Sequence, residues 1–213
     1  MKSWQKKLIK IVNPLLKKLE PDHGSAHAKV VFKWCLIFAK DYHKVDIEVL
    51  FAAAWLHDLG HLKLKNGMGG HSYFSVNLAG PILKKAGAPE KKFSLIKQII
   101  MTHEEREDLF KKKLPVEVLI FHDADKIDGV GALGLARQFV YSGRVGKKFW
   151  DPNIPRDSTL PWGGNISAMH TILDDQLIFK FYTKKAKKWL TGEKNICDHI
   201  LKGFFKSGIL KNN

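Results

Sequence analysis

Histidine and aspartate recur in this sequence at positions that helical spacing reserves for apolar side chains. His27 continues the stripe of Val31, Trp34 and Phe38, and His57 follows Leu50 and Ala53 or Ala54, with Asp58 beside it. His103 extends Ile96, Ile99 and Ile100, and Asp125 extends Val118 and Phe121. Burying such groups without partners is costly. A single histidine on an apolar stripe is usually a hydrogen-bonded core residue. Imidazoles and carboxylates converging from four helices are instead the usual shell of a divalent transition metal, whose coordination offsets their desolvation.

Other patterns are weaker. His57 and His61 stand four apart, as in the zinc peptidase pattern H-E-x-x-H, but Asp58 replaces the glutamate base and Gly60 interrupts the helix. Gly129, Gly131 and Gly134 spell G-x-G-x-x-G, yet no core strand precedes them and an arginine, not an acidic ribose ligand, follows. Close helix packing is the expected use of these glycines. His122-Asp123 is a second His-Asp pair; on one helix Asp123 points about 160° away from Asp125, so it is the alternative ligand if the register differs. His23, one turn before His27, is placed to touch substrate or to cap the helix.

The elements that must position these residues are helices. Apolar residues recur every three or four positions and no run alternates with the period of a half-buried strand, which predicts an all-α fold. Candidate helices cover 3–19, 25–40, 46–59, 72–87, 89–104, 115–127, 129–142, 166–190 and 193–206. Turn chemistry separates them at Pro21-Asp22, Gly60, residues 66–70, Gly87 with Pro89, and Pro115. Residues 142–164 have no usable period, and this length with Trp150 and Trp162 predicts an ordered, lid-like loop.

Bulk properties narrow the classes. A chain of 213 residues, 45% hydrophobic and 27% charged, fits one soluble domain over 1–213 and excludes a disordered or low-complexity protein. Two cysteines, Cys35 and Cys197, give neither a disulfide framework nor a cysteine-rich zinc site, so the cytoplasm is the expected compartment. The basic N-terminal run lacks the apolar core of a signal peptide or membrane span, so no membrane partner is expected. The net charge of +15 suits a phosphorylated ligand or nucleic acid. The lysines, however, come in scattered pairs that read as solvated helix faces, and no nucleic-acid-binding module is visible.

The order His27, then WLHDLGH with His57 and Asp58, then FHDADKIDGVGALGLAR with Asp125, resembles the HD superfamily of metal-dependent phosphohydrolases. The segment DADKIDGVGALGLAR is closest to a subgroup of small bacterial and archaeal HD hydrolases, and the likeness extends from about Asp22 through MHTILDDQLIFKFYTKKAKK. The resemblance implies an all-α HD-domain helical bundle, with its core over about 22–142 and additional C-terminal helices over about 166–206. It implies that His27, His57, Asp58 and Asp125 hold a divalent transition metal (Mn, Fe, Ni, Co or Zn), with Asp58 coordinating directly or bridging two ions. His71 and His103 either complete a second site or contact substrate, as His23 also can. Lys126, beside Asp125 and counted with Asp58 as catalytic, and Arg137 are then candidates for holding phosphate oxygens. The implied substrate is a small phosphorylated molecule, a nucleotide by family likeness. Two other classes stay open: a di-iron oxygenase on the same ligand set, and a basic nucleic-acid-binding protein without catalysis.

Overall fold

The computed structural model describes residues 1–64, 70–105, 113–155, 167–174 and 179–206, without the side chains of 174, 193–198 and 205. Among the described residues there are nine α-helices: α1 (Ser3–Leu16), α2 (Ser25–Ala39), α3 (Ile47–Leu56), α4 (His71–Ala86), α5 (Phe93–Thr102), α6 (Val116–Asp128), α7 (Gly131–Arg144), α8 (Ala168–Asp174) and α9 (Lys184–Lys206). Short 3-10 turns occupy Lys17–Leu19, Leu59–Lys63 and Glu90–Lys92. The all-α expectation holds. Among the described residues there is no strand, only an isolated bridge between Lys148 and Ser167, and no helix long and apolar enough to cross a membrane. The chain divides into two compact units, Met1–Asp125 and Lys126–Asn213.

The first unit is built around α3. Every residue from Val49 to Leu56 is buried, and α2 and α5 pack on it, while α1 packs on α3 and α4. Asp46 starts α3: its side chain accepts from the amides of Glu48 (3.1 Å) and Val49 (3.3 Å), two donors that a helix leaves orphaned at its N-terminus. The backbone N–H of Asp46 in turn donates to Glu117 on α6 at 2.9 Å, which ties the start of α3 to the helix that carries Asp125. α1 buries Trp4, Leu8, Val12 and Leu16 and leaves Lys6, Lys7 and Lys10 in solvent. The lysine pairs are solvated faces here, as the sequence predicts, except that Lys92 is drawn into ion pairs with Asp46 and Glu48.

In the second unit α7 packs on α8 and α9. A Cβ on Gly134 would stand 2.2 Å from the backbone of Gly129, so the glycine motif serves close packing, as expected. Two predicted helices are corrected. The span 166–190 is not one helix: α8 ends at Asp174, and a new helix starts at Lys184 because the Thr183 hydroxyl accepts from the amide of Ala186 at 3.3 Å. There is no break at 191–192: α9 runs through, and the Thr191 hydroxyl donates to the carbonyl of Lys188 (2.7 Å) within the helix. The loop after α7 is anchored where it is described: the amides of Ala168 and Met169 donate to the carbonyls of Lys148 (2.9 Å) and Phe149 (3.1 Å). Trp150 stacks on His170 with ring centroids 4.5 Å apart. The rest of the predicted lid, including Trp162, lies outside the described residues.

Candidate metal centre

α3 ends at Leu56 and hands the chain to His57, its C-cap, and to Asp58. α2 brings His27 and α6 brings Asp125 to the same point. His27 Nε2 lies 3.1 Å from His57 Nε2, 3.2 Å from Asp58 Oδ2 and 3.4 Å from Asp125 Oδ1. His57 Nε2 lies 3.1 Å from Asp58 Oδ2 and 3.5 Å from Asp125 Oδ1. Bonds of about 2.0–2.2 Å to one ion place donor atoms about 3–3.5 Å apart, which is the spacing seen. The protonation chemistry agrees. His57 Nδ1 faces the carbonyl oxygen of Ala54 at 3.2 Å, so in the neutral ring that nitrogen carries the proton and Nε2 turns a lone pair toward two carboxylate oxygens. Asp58 Oδ2 is buried and hydrogen-bonded to neither imidazole. Lone pairs meeting in a buried space suit a cation among them, and the grouping of His27, His57 and Asp125 is compact enough to hold a metal ion.

The other oxygen of Asp58 faces a second group. Oδ1 lies 3.2 Å from His71 Nε2 and 4.0 Å from His103 Nε2, and those two nitrogens are 2.8 Å apart. His103 Nδ1 donates to the carbonyl of Ile100 at 2.6 Å, and His71 Nδ1 sits 3.0 Å from Glu104 Oε1. Three groups are compact enough to hold an ion: His27, His57 and Asp125; Asp58, His71 and His103; and His23, Asp58 and His61. Asp58 faces the first through Oδ2 and the second through Oδ1. His61 borders the second cluster, its ring stacked on His71 at 3.9 Å, and His23 packs on His61 at 4.4 Å. His23 Nδ1 is bound to the buried carboxylate of Asp22 at 2.5 Å.

Charge follows this geometry. Burial alone would raise the Asp58 carboxyl, but the imidazoles of His57, His23 and His27 outweigh it and hold the group well below the usual carboxylate range. Burial alone would strip the proton from His71, yet Asp58 and Glu104 lift it to about 9. Asp58 and Asp125 likewise overcome burial at His57 and raise it. His103 goes the other way, down to about 3, through burial and then the neighbouring His71 and His57. Glu104 is pulled down by His71 and His103 against its own burial. Cys35 is buried, and burial followed by Asp125 pushes its thiol well up; it belongs to none of the three groups that could hold an ion.

The turn bearing Asp58 is clamped to α4. Gly60 donates its amide to Ser75 Oγ at 2.8 Å, and that hydroxyl donates to the carbonyl of His57, one of the acceptors α3 leaves open at its end. A Cβ at Gly60 would lie 1.9 Å from the carbonyl oxygen of His71, so no larger residue fits. The glycine that breaks the helix after the His-Asp pair thus sets the spacing between the two clusters.

Of the residues singled out from sequence, the structure brings together His27, His57, Asp58 and Asp125, and sets His71 and His103 next to them. Asp123, the alternative ligand, is fully buried beside His122 (3.5 Å), and Asp125 is the carboxylate that reaches His27 and His57. Lys126 and Arg137 fall in the second unit. Lys126 is buried with its ammonium 5.4 Å from the centre of the Phe179 ring, and Arg137 pairs with Asp128 at 2.5 Å. Sequence reasoning passed over Glu104 and discounted His61. The available signal was the acidic residue directly after His103.

Comparison with known proteins agrees with this architecture. Residues 24–129 match the family model of the HD domain. The chain is an HD-domain protein. A crystal structure from Lactobacillus plantarum superposes with a TM-score of 0.78 over 98% of both chains at 23% identity. An HD-superfamily hydrolase from Bacillus thuringiensis gives 0.65 over 97% of both at 21%. Bacillus subtilis YpgQ, solved in complex with ADP, gives 0.65 over 96% of this chain and 94% of its own at 19%. These likenesses establish a shared fold. In sequence, 105 residues are 31% identical to YpgQ of B. subtilis strain 168, an uncharacterized protein, and that stretch spans 48% of this chain and 49% of YpgQ, about half of each.

Proposed function

We propose that this chain is a metal-dependent phosphohydrolase whose divalent transition ion is held by His27, His57, Asp58 and Asp125. The observation that carries the reading is that the Nε2 atoms of His27 and His57 lie 3.1 Å apart and each lies within 3.5 Å of an oxygen of Asp58 and of Asp125, the other nitrogen of His57 being committed to Ala54. When bound, the ion would polarise a phosphoryl oxygen and bring the pKa of a coordinated water to about 7. The protein's own contribution is charge and placement: two carboxylates neutralise the ion, and burial keeps bulk water from competing for it. Lys126 and Arg137 are the proposed phosphate-holding cations. The second cluster could take a further ion, and His71 and His103 would then be ligands rather than substrate contacts.

A nucleotide is the substrate class best supported, since YpgQ, which shares the fold, was solved with ADP and a net charge of +15 attracts polyphosphate. The test is metal analysis of protein purified without chelator, followed by phosphate-release assays on phosphomonoesters, nucleoside di- and triphosphates and cyclic dinucleotides with each candidate metal. A chain that binds no metal, or that cleaves none of these when loaded, is not this enzyme. Iron in both sites together with oxygen consumption would move it to the oxygenase class, which the second cluster also permits.

A further inference from the structure

Glu104 lies two residues past the end of α5, outside any helical stripe, and its carboxylate is largely buried against the start of α4. One oxygen, Oε1, lies 3.0 Å from His71 Nδ1; the other, Oε2, accepts the backbone N–H of Ser72 at 2.9 Å. These two groups stand on the first two residues of α4, whose N-cap is Gly70 and has no side chain to satisfy its amides. A single carboxylate from another element therefore does two jobs there. It caps α4, where the helix dipole also favours negative charge, and it fixes which nitrogen of His71 carries a proton. With Nδ1–H donated to Glu104, Nε2 is left facing His103 Nε2 at 2.8 Å and Asp58 Oδ1 at 3.2 Å.

We propose that Glu104 is a positioning residue: by orienting His71 it decides whether the cluster of Asp58, His71 and His103 accepts an ion. This inference rests on the metal-centre reading above and adds to it the residue that controls occupancy of the second half. Only an acceptor on both arms satisfies the geometry. A glutamine at this place would turn its NH2 group toward either the His71 Nδ1 proton or the Ser72 amide, setting donor against donor. His57 in the first cluster has no such dependence, because it takes its orientation from the carbonyl of Ala54 on its own helix.

The probe is Mn²⁺, titrated into metal-free protein by calorimetry, with stoichiometry checked by equilibrium dialysis and electron paramagnetic resonance. The full chain should bind two ions and show the spectrum of a coupled pair. Glu104→Gln should keep one ion at the parent affinity and bind the other about 10- to 100-fold more weakly, as loss of a partner behind a ligating histidine typically does; its spectrum should be that of isolated Mn²⁺. The melting temperature of the metal-free protein is recorded alongside, because capping α4 is a structural role. If that role were all, both ions would weaken together as the fold loosened, and the inference would be wrong. It would be equally wrong if Glu104→Gln bound two ions like the parent, or if the parent bound one; either result leaves a metal centre standing without this control. A parent that binds no Mn²⁺ would instead remove the metal reading itself. Should Glu104→Gln fail to fold, Glu104→Asp takes its place: it keeps the negative charge at the helix start but is too short to span both donors, so it too should hold one ion at the parent affinity and lose the other.

Discussion

The two units each bury histidine, and they treat it differently. In the second unit His170 is fully buried with both ring nitrogens answered by the protein: Nδ1 by the Ser167 hydroxyl at 2.8 Å and Nε2 by the carbonyl of Ile154 at 3.1 Å, with Trp150 stacked on its face. In the first unit His57, His71 and His103 each give Nδ1 to a protein acceptor and turn Nε2 toward one another and toward Asp58. The distinction is one of hydrogen-bond arithmetic. His170 finds a donor for its lone pair and an acceptor for its proton within its own chain. His57, His71 and His103 instead point Nε2 at further imidazoles and at carboxylate oxygens, in groupings that could hold an ion.

The largest effect should come from removing the carboxylate that serves both clusters. Asp58→Ala should lose bound metal and cut phosphohydrolase turnover by more than about 10³-fold, since both the charge that holds the ion and the water it activates go with it. Full metal content and parent turnover in this variant would erase the contrast between the two kinds of histidine. Lys126→Ala or Arg137→Ala should weaken catalysis by about 10²- to 10³-fold while metal content stays at the parent level, because the proposed role of these cations is to hold phosphate and neither is among the proposed ligands. Elemental analysis beside the rate assay separates the two classes.

His170→Phe probes the other side. It keeps the stacking on Trp150 and the bond from the backbone N–H of residue 170 to Ser167 Oγ, but it removes the ring partners of the Ser167 hydroxyl proton and the Ile154 carbonyl, and it should cost about 1–3 kcal/mol of stability in a denaturant titration. Mn²⁺ affinity should not move. A fall in metal binding here as large as that of a ligand variant would mean that His170 is not purely structural.

How much of this was legible beforehand follows from what a helical period can carry. His27, His57, His103 and Asp125 sit on stripes of a 3.6-residue period, so their inward direction is written in the spacing of their apolar neighbours. Glu104 and His61 lie beyond helix ends, where the period has lapsed and direction depends on the turn. Gly60 reads in sequence as a break that separates His61 from His57. In the structure it lies within a 3-10 turn tight enough to press against α4, and His61, in the same turn, stacks on His71. The C-terminal helices were misdivided for the same reason in reverse: apolar spacing continues across Thr183, and only the capping bond to Ala186 marks the restart.

The smallest effect tests whether the first cluster depends on scaffolding as well as on ligands. Asp46 caps α3, the helix that delivers His57 and Asp58, and pairs with Lys92 while its backbone N–H holds Glu117. Burial alone would raise its carboxyl, but Lys92 and the amides of Val49 and Glu48 outweigh it and set the group below its ordinary value of 3.8. A carboxyl depressed in the folded state binds fewer protons there than in the unfolded chain. Its contribution is therefore complete above the ordinary carboxylate range and fades as pH falls through the lowered folded value. Asp46→Ala should cost about 1 kcal/mol at neutral pH, the usual worth of an N-cap. The penalty should shrink in acid, because the parent loses the same interaction by protonation. Denaturant titrations of both proteins between neutral pH and about pH 3 should show the two stability curves converging at the acid end. Parallel curves would mean that the cap and its lysine contribute nothing that depends on charge, and that α3 is held by the burial of Val49 to Leu56 alone.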